Sequence, residues 1–520
     1  MSQAAENRIP GCQSSFTNKE YLAKLMDWLL PNNSIFANIK FHGNTKWVPR
    51  QLVILALCWA WSNATNVTDA FAEAVGWCGK LLKSSPLTSY TGFMGAMTTW
   101  NVVFIELLGP VLQARMQEIG AEFWQFGKWV LIAFDGSRAS APRTKSNEKA
   151  FCAPNYGSGN TAKYRDKKRS KNPRRRKKAT AAKRRAKRAK IKANIKAAQS
   201  ERQKKRAAAQ TQKEQTSAPQ APQAWITMIW HVGLRLPWMW RLGPSNSSER
   251  EHVMQMLERG KFPKNTLFCG DAGFVGCPLW SAILGQGHQF IVRVGANVSL
   301  LRASADYLIE EGGSVLCWPL DSMRANHPPL RLRLVKMLIG KTKVWLLTSV
   351  LNAEDLSNED LLLFYKKRWG IEVEFRGLKQ TLDKGKLRCN NDQRLLVELN
   401  WSIMAMAIAE LFALKEQLSK KRSNRRKSEL PYHPTHRSLA NTMRALRKCL
   451  QELNEIPEPK EDLKTQLGNA VTDRYVRKSS KKPRHRPANP DKKPLGDPNV
   501  REMTLEEKAK LRTMEEKQAA

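Results

Sequence analysis

Late in the chain, Tyr365, Arg368, Glu372 and Lys379 follow one another at spacings of 3, 4 and 7 residues. At about 100° per residue of α-helix they fall within an arc of roughly 60°. A phenol, a carboxylate and two cations then share one stripe. Glu374 falls on the opposite face, so Glu372 is the candidate acid. An exposed, ion-paired face is the ordinary explanation of such a stripe. Leu361 on the same stripe, with Trp369, Phe375 and Leu378 beside it, argues that much of this helix is packed.

Two aspartates end apolar runs far upstream. Trp129-Val-Leu-Ile-Ala-Phe-Asp135 lies between Gly127 and Gly136-Ser137, and reads as a buried strand ending in a carboxylate. Thr266-Leu-Phe-Cys-Gly-Asp271, followed by Ala272-Gly273-Phe274, reads the same way. Either aspartate alone is an ordinary turn residue. The order strand-Asp, strand-Asp, helix-Glu is more informative, because strand ends and a crossing helix can converge on one cleft. Three converging carboxylates repel by on the order of several kcal/mol per close pair, so cations between them would keep them ionised. Hard oxygen donors suit Mg²⁺ or Mn²⁺. A pair of such ions activates a water or a 3′-hydroxyl and relieves charge on the leaving oxygen of a phosphodiester.

With these residues the chain resembles the DDE transposases of bacterial insertion sequences, in the branch marked by a YREK motif. Tyr365-x2-Arg368-x3-Glu372-x6-Lys379 meets that motif without a gap, and Phe134-Asp-Gly-Ser137 and Gly270-Asp-Ala-Gly-Phe274 are similar to the family's aspartate contexts. The resemblance covers roughly residues 125–415. It implies an α/β fold: a ribonuclease-H-like core, a mixed sheet flanked by helices, interrupted by a β-rich insertion at 296–350. It implies that Asp135, Asp271 and Glu372 are the catalytic, metal-binding triad for two Mg²⁺ or Mn²⁺ ions. Tyr365, Arg368 and Lys379 would hold phosphates of a transposon end. Trp345, in Val344-Trp-Leu-Leu-Thr348, would stack on a flipped base, though it reads equally well as a core aromatic. The implied partners are transposon-end and target DNA, with a homodimer on paired ends. The implied place is the cytoplasm of a bacterium, at the nucleoid.

The surrounding elements must position these groups. Residues 1–120 read as mostly helical (Lys19 to Leu30, Val48 to Trp61, Ala70 to Leu82, and a stretch after Pro86). They fit a DNA-end-binding bundle or a plain helical packing domain equally well. Strands are expected at Trp225 to Val232 and Leu236 to Leu242, paired across Gly233, then at Gln289 to Val294. Ser247 to Leu257 reads as a helix. Within 296–350 the expected strands are Ser314 to Trp318, Leu330 to Met337 and Val344 to Thr348. Residues 358–383 give the clearest helix, opened by Ser357 with Asp360 in a capping-box spacing. A long apolar helix from Leu395 to Leu414, a basic turn from Ser419 to Lys427 and a helix from Thr435 to Leu453 follow, so 416–455 reads as a C-terminal helical region. The charged tail, 456–520, reads as disordered.

Composition fits this chemistry. The 520 residues are 42 % hydrophobic, enough for a sizeable core in about three domains. Lysine and arginine number 88 against 46 acids, a net charge of +42. That excess points to a polyanionic partner. Half of it lies in residues 163–214, where 24 cations face 3 acids, inside a basic insert at 160–222 that reads as a flexible arm ordering partly on DNA. No uninterrupted apolar run reaches the ~18 residues a membrane span requires. The 9 cysteines form no Cys-x-x-Cys pair, which removes support for zinc ribbons and disulfide scaffolds. The expected activity is metal-dependent cleavage at transposon ends and strand transfer. The alternatives are a nuclease without joining, and a non-catalytic basic nucleic-acid-binding protein.

Overall fold

A computed structural model describes residues 16–152, 221–423, 432–472 and 495–519, apart from 32, 40, 42–47, 83–88, 303–306, 309–310, 341 and 459. Nearly all of the basic insert, and the part of the expected basic turn beyond Ser423, lie outside the described residues.

The N-terminal region is helical as expected: α1 (Asn18–Leu29), α2 (Pro49–Trp61), α3 (Val67–Leu82) and α4 (Tyr90–Gly120). Thr17 and Glu20 cap α1 reciprocally, with Glu20 N donating to Thr17 Oγ1 at 3.2 Å and Thr17 N to Glu20 Oε2 at 2.8 Å. The strands begin with β1 (Val130–Ser140), followed by α5 (Lys145–Phe151) and the hairpin β2 (Gln223–His231) and β3 (Leu236–Gly243). Then come α6 (Glu249–Arg259), β4 (Thr266–Gly270), α7 (Cys277–Gly285) and β5 (Gln289–Val294). In the sheet these five strands run β3-β2-β1-β4-β5, with β2 antiparallel to β1, and β1, β4 and β5 parallel.

The expected β-rich insertion is present and is larger than its three expected strands. It comprises β6 (Ser299–Arg302), β7 (Gly312–Cys317), α8 (Leu320–Arg324), β8 (Leu330–Ile339) and β9 (Thr342–Thr348). It is no separate body: β9 pairs antiparallel with β5, so the insertion extends the same sheet in the order β5-β9-β8-β7-β6. The pairing uses backbone groups, which side-chain patterning does not reveal.

The expected single helix at 358–383 is divided into α9 (Asn358–Lys367) and α10 (Gly370–Arg376), followed by a π-helical turn, Gly377–Thr381. A Cβ at Gly370 would overlap the Trp230 ring, so the chain passes β2 too closely for any other residue. Trp369, expected to be packed, is 57 % exposed at this break. The long apolar helix, α11 (Asp392–Ser423), runs on through the start of the expected basic turn. α12 (Leu439–Gln451) and α13 (Leu463–Gly468) follow.

The helical regions do not form separate cores. Apolar residues of α1–α4, the sheet, α11 and α12 make one continuous buried cluster. Trp61 Nε1 donates to Ala405 O at 2.9 Å, the rings of Phe104 and Trp401 meet edge to face at 6.2 Å, and Lys19 N donates to Leu453 O at 3.0 Å. Averaged over 18 residues, α4 and α11 are apolar enough to cross a membrane; 28 % of that stretch is buried in α4 and 89 % in α11.

The tail also departs from expectation. Within 456–520 the described residues include α13, a strand β10 (Asn499–Arg501) and a helix α14 (Leu505–Ala519). β10 pairs parallel with β6 and closes the far edge of the sheet. Composition missed this because the segment is held by a partner edge and by small apolar contacts made with residues distant in sequence.

Candidate active site

Asp135 does not end its strand. β1 continues to Ser140 along β2, but the parallel β1–β4 ladder stops at Ala133 opposite Cys269. Asp135 therefore sits where β4 peels away, at the mouth of the gap. Asp271 follows β4 directly, and its Oδ1 accepts the Gly273 N–H at 2.8 Å, which fixes the carboxylate over a short 3₁₀ turn. Glu372 projects from α10, and Arg368, at the end of α9, reaches both sides. Its guanidinium lies 3.3 Å from Asp135 Oδ2 and 3.7 Å from Glu372 Oε1.

The charges feel one another. Burial raises the Asp135 carboxyl to about 6; Arg368 and the Gly136 N–H oppose this, while Asp271 and Glu372 push it further. The Asp135 side chain is 15 % exposed. Burial also raises Glu372, against Arg368 and with Asp271. Tyr365 lies buried beneath Arg368, whose guanidinium is 5.6 Å from its ring, and burial raises the phenol. Lys379 Nζ donates to Ser137 Oγ at 2.7 Å, two residues beyond Asp135, and burial lowers its ammonium. Glu374 points away from the site, buried beside Glu410 and Arg437.

The helix break does not scatter the stripe. Ile371 N bonds to Arg368 O at 3.1 Å and Glu372 N to Trp369 O at 3.1 Å, tight i→i−3 bonds before the acid. Leu382 N bonds to Gly377 O at 3.2 Å, a wide i→i−5 bond after it. Across the break Arg368 still reaches Asp135 and Glu372, and Lys379 reaches Ser137 of β1.

Sequence reasoning missed a fourth carboxylate. Glu249, the first residue of α6, is half-buried and raised to about 7 by burial and by Asp135 and Asp271. A Cβ at Gly136 would overlap Glu249 Oε1, and one at Gly273 would stand 3.5 Å from Oε2. The glycine after Asp135 thus leaves room for it, whereas a side chain at Gly273 would meet it at ordinary contact distance. In the sequence Glu249 reads as a plain first-turn acid, favoured there by the helix dipole; the only signal was Gly136. Trp345 is not part of the group. It sits on β9 opposite Val294, is 5 % exposed, and donates from Nε1 to Asp497 Oδ1 at 2.7 Å.

The donor set suits hard divalent cations: several carboxylates raised in pKa mainly by burial and partly by one another, with one guanidinium between them. Among the described residues no three acids are within reach of a single ion.

Residues 228–408 match the family model described as "Transposase DDE domain". The match holds Asp271, Glu372 and the stripe, and begins after Asp135. The chain is also 27 % identical over 173 residues to the transposase InsG of insertion sequence element IS4 from Escherichia coli (strain K12). That alignment takes in 31 % of this chain and 37 % of the relative, so the chain spans little more than a third of the relative's length. A piggyBac transposase synaptic complex with hairpin DNA aligns over 89 % of this chain and 87 % of its own, at 12 % identity and a TM-score of 0.36. The chain thus carries sequence similarity to DDE transposases across the segment that builds one side of the site.

Proposed function

We propose that the chain is a DNA transposase of the DDE class, in the YREK branch of bacterial insertion sequences, cutting transposon ends and joining them to target DNA. The observation that carries this reading is the arrival of Asp135, Asp271 and Glu372, from three distant parts of the sequence, around the Arg368 guanidinium. The β3-β2-β1-β4-β5 order supports a ribonuclease-H-like core for that chemistry.

Asp135, Asp271 and Glu372 would hold two Mg²⁺ or Mn²⁺ ions, with Glu249 beside them. When bound, such ions supply Lewis-acid activation of the attacking oxygen and charge relief at the leaving oxygen. Arg368 stands between Asp135 and Glu372. Freed from Asp135 and Glu372, its fork meets a phosphate in two parallel hydrogen bonds. Lys379, held out toward β1 by Ser137, presents a second cation to the same strand. Burial of Tyr365 keeps its phenol protonated, so it donates to a phosphate oxygen and does not repel it. The basic insert supplies affinity for the DNA backbone, and joining two ends calls for two copies of the chain.

The test is incubation with DNA carrying the element's own termini, with and without Mg²⁺. Asp135→Ala, Asp271→Ala and Glu372→Ala should each lower cleavage by at least about 10³-fold while DNA binding survives. Cleavage without joining would make the protein a nuclease. No cleavage by the parent chain, with DNA binding unchanged in all three variants, would make it a non-catalytic binding protein.

A further inference from the structure

Two thiols from distant parts of the chain meet between α7 and the β-rich insertion. Cys277 is the first residue of α7, and Cys317 is the last of β7. Strand register brings Cys317 to the face on which α7 lies. Ile291, Thr348 and Arg333 form one row across β5, β9 and β8, so the neighbouring Phe290 and Leu332 lie on the opposite face. Val315 pairs with Leu332, and Cys317, two residues further along β7, shares that face. α7 packs there, with the Trp280 ring stacked on Phe290 at 5.5 Å. The two sulfurs meet: the Cys317 thiol donates a hydrogen bond to the Cys277 sulfur.

The pair is unequal. Cys277 is half-buried, within reach of solvent, whereas Cys317 is 5 % exposed. Besides Cys317, two hydroxyls turn to the Cys277 sulfur: Ser281, one turn on in α7 with its Oγ 3.8 Å away, and Ser322 of α8. The positive end of α7 favours an anion at its first residue. The hydrogen bonds, that from Cys317 foremost, outweigh burial and lower the Cys277 thiol to about 6. Cys277 is therefore largely a thiolate at pH 7. Cys317 is raised, first by the hydrogen bond it gives to Cys277 and then by burial. Among the described residues, burial raises every cysteine outside this pair. A reachable thiolate with a protonated thiol against it is the arrangement of an attacking and a resolving cysteine.

A peroxide completes the chemistry. The Cys277 thiolate attacks one oxygen of hydrogen peroxide, the O–O bond breaks, and the other oxygen leaves as hydroxide, which takes a proton to become water. Cys277 is then a sulfenic acid. With the thiolate gone, the chief cause holding the Cys317 proton is gone too. The Cys317 sulfur attacks the Cys277 sulfur, the S–O bond breaks, and hydroxide leaves with the Cys317 proton as a second water. Two thiols have lost two electrons and two protons, and one peroxide has become two waters. In a reducing compartment such disulfides are transient and serve as sensors.

We propose that Cys277 and Cys317 are a peroxide-sensitive pair that closes reversibly into a disulfide, tying the insertion to α7 six residues beyond Asp271. The test uses the full-length, reduced, folded chain and hydrogen peroxide equimolar with it. After free thiols are blocked, non-reducing peptide mapping should find the Cys277 and Cys317 peptides linked, lighter by two hydrogens than the separate pair. Dithiothreitol should restore both thiols. In Cys317→Ser, Cys277 should stop at the sulfenic acid and take up a 1,3-diketone label. In Cys277→Ser, Cys317 should remain a free thiol. Both thiols still free in the parent chain after peroxide would overturn the proposal, with no variant needed. So would pairing of either with another cysteine, Cys12 included, a diketone label on Cys317 in place of Cys277, or an equal yield of the linked pair when the chain is unfolded in urea before oxidation.

Discussion

Glu249 shows what the site costs the fold. Its carboxyl titrates near 7 in the folded chain against 4.5 for the free group. A raised acid is bound to its proton more tightly when folded, so its destabilising effect is absent below about pH 4.5 and complete above about pH 7. Glu249→Gln should therefore raise the stability of the ion-free protein at pH 8 by on the order of 1 kcal/mol, after discounting for partial exposure. The gain should vanish near pH 4. Thermal melts in chelator at the two pH values would show this, and equal melting shifts at both would contradict it. In the presence of Mg²⁺ the same substitution should slow the proposed cleavage, because the acid's charged neighbours are Asp135 and Asp271, the aspartates proposed to hold the ions.

At the scale of elements, two glycines place the site and differ in what they avoid. Gly370 faces a rigid indole. Gly370→Ala must displace Trp230 or α10 and should destabilise by about 1–3 kcal/mol, read from chemical denaturation. Gly136 faces the end of a flexible side chain. Gly136→Ala should leave stability within about 1 kcal/mol but push Glu249 aside. Its effect on cleavage should then match that of Glu249→Gln, and the double variant should be no worse than either single one. A purely additive double variant would show that the glycine and the acid act separately. The break between α9 and α10 lies at the same close approach, where Gly370 passes the Trp230 ring of β2.

For the whole molecule, a ten-stranded sheet joins the carboxylate site to the far edge where β10 lies, and one core joins that sheet to the N-terminal helices. Binding affinity is a property of the whole charge distribution. Deleting residues 163–214, with 24 cations and 3 acids, should weaken DNA binding and flatten its salt dependence by several units of log–log slope. The melting temperature should stay unchanged. Loss of folding on deletion would show that the insert is structural.

The sequence by itself determined the acids and their order. Asp135 and Asp271 follow apolar runs whose burial makes them strands, and Tyr365, Arg368, Glu372 and Lys379 keep a spacing set by helix geometry. Local periodicity is enough for that, because it depends only on neighbours along the chain. The strand and helix positions around them were legible for the same reason. Tertiary structure alone decided that the parallel ladder stops short of Asp135, that Glu249 comes to stand beside it, that the insertion continues the sheet, and that the tail returns to accept the Trp345 indole N–H at Asp497. Each of these depends on backbone pairing or on contact between residues far apart in sequence. Side-chain patterning carries no record of which edge a strand will join.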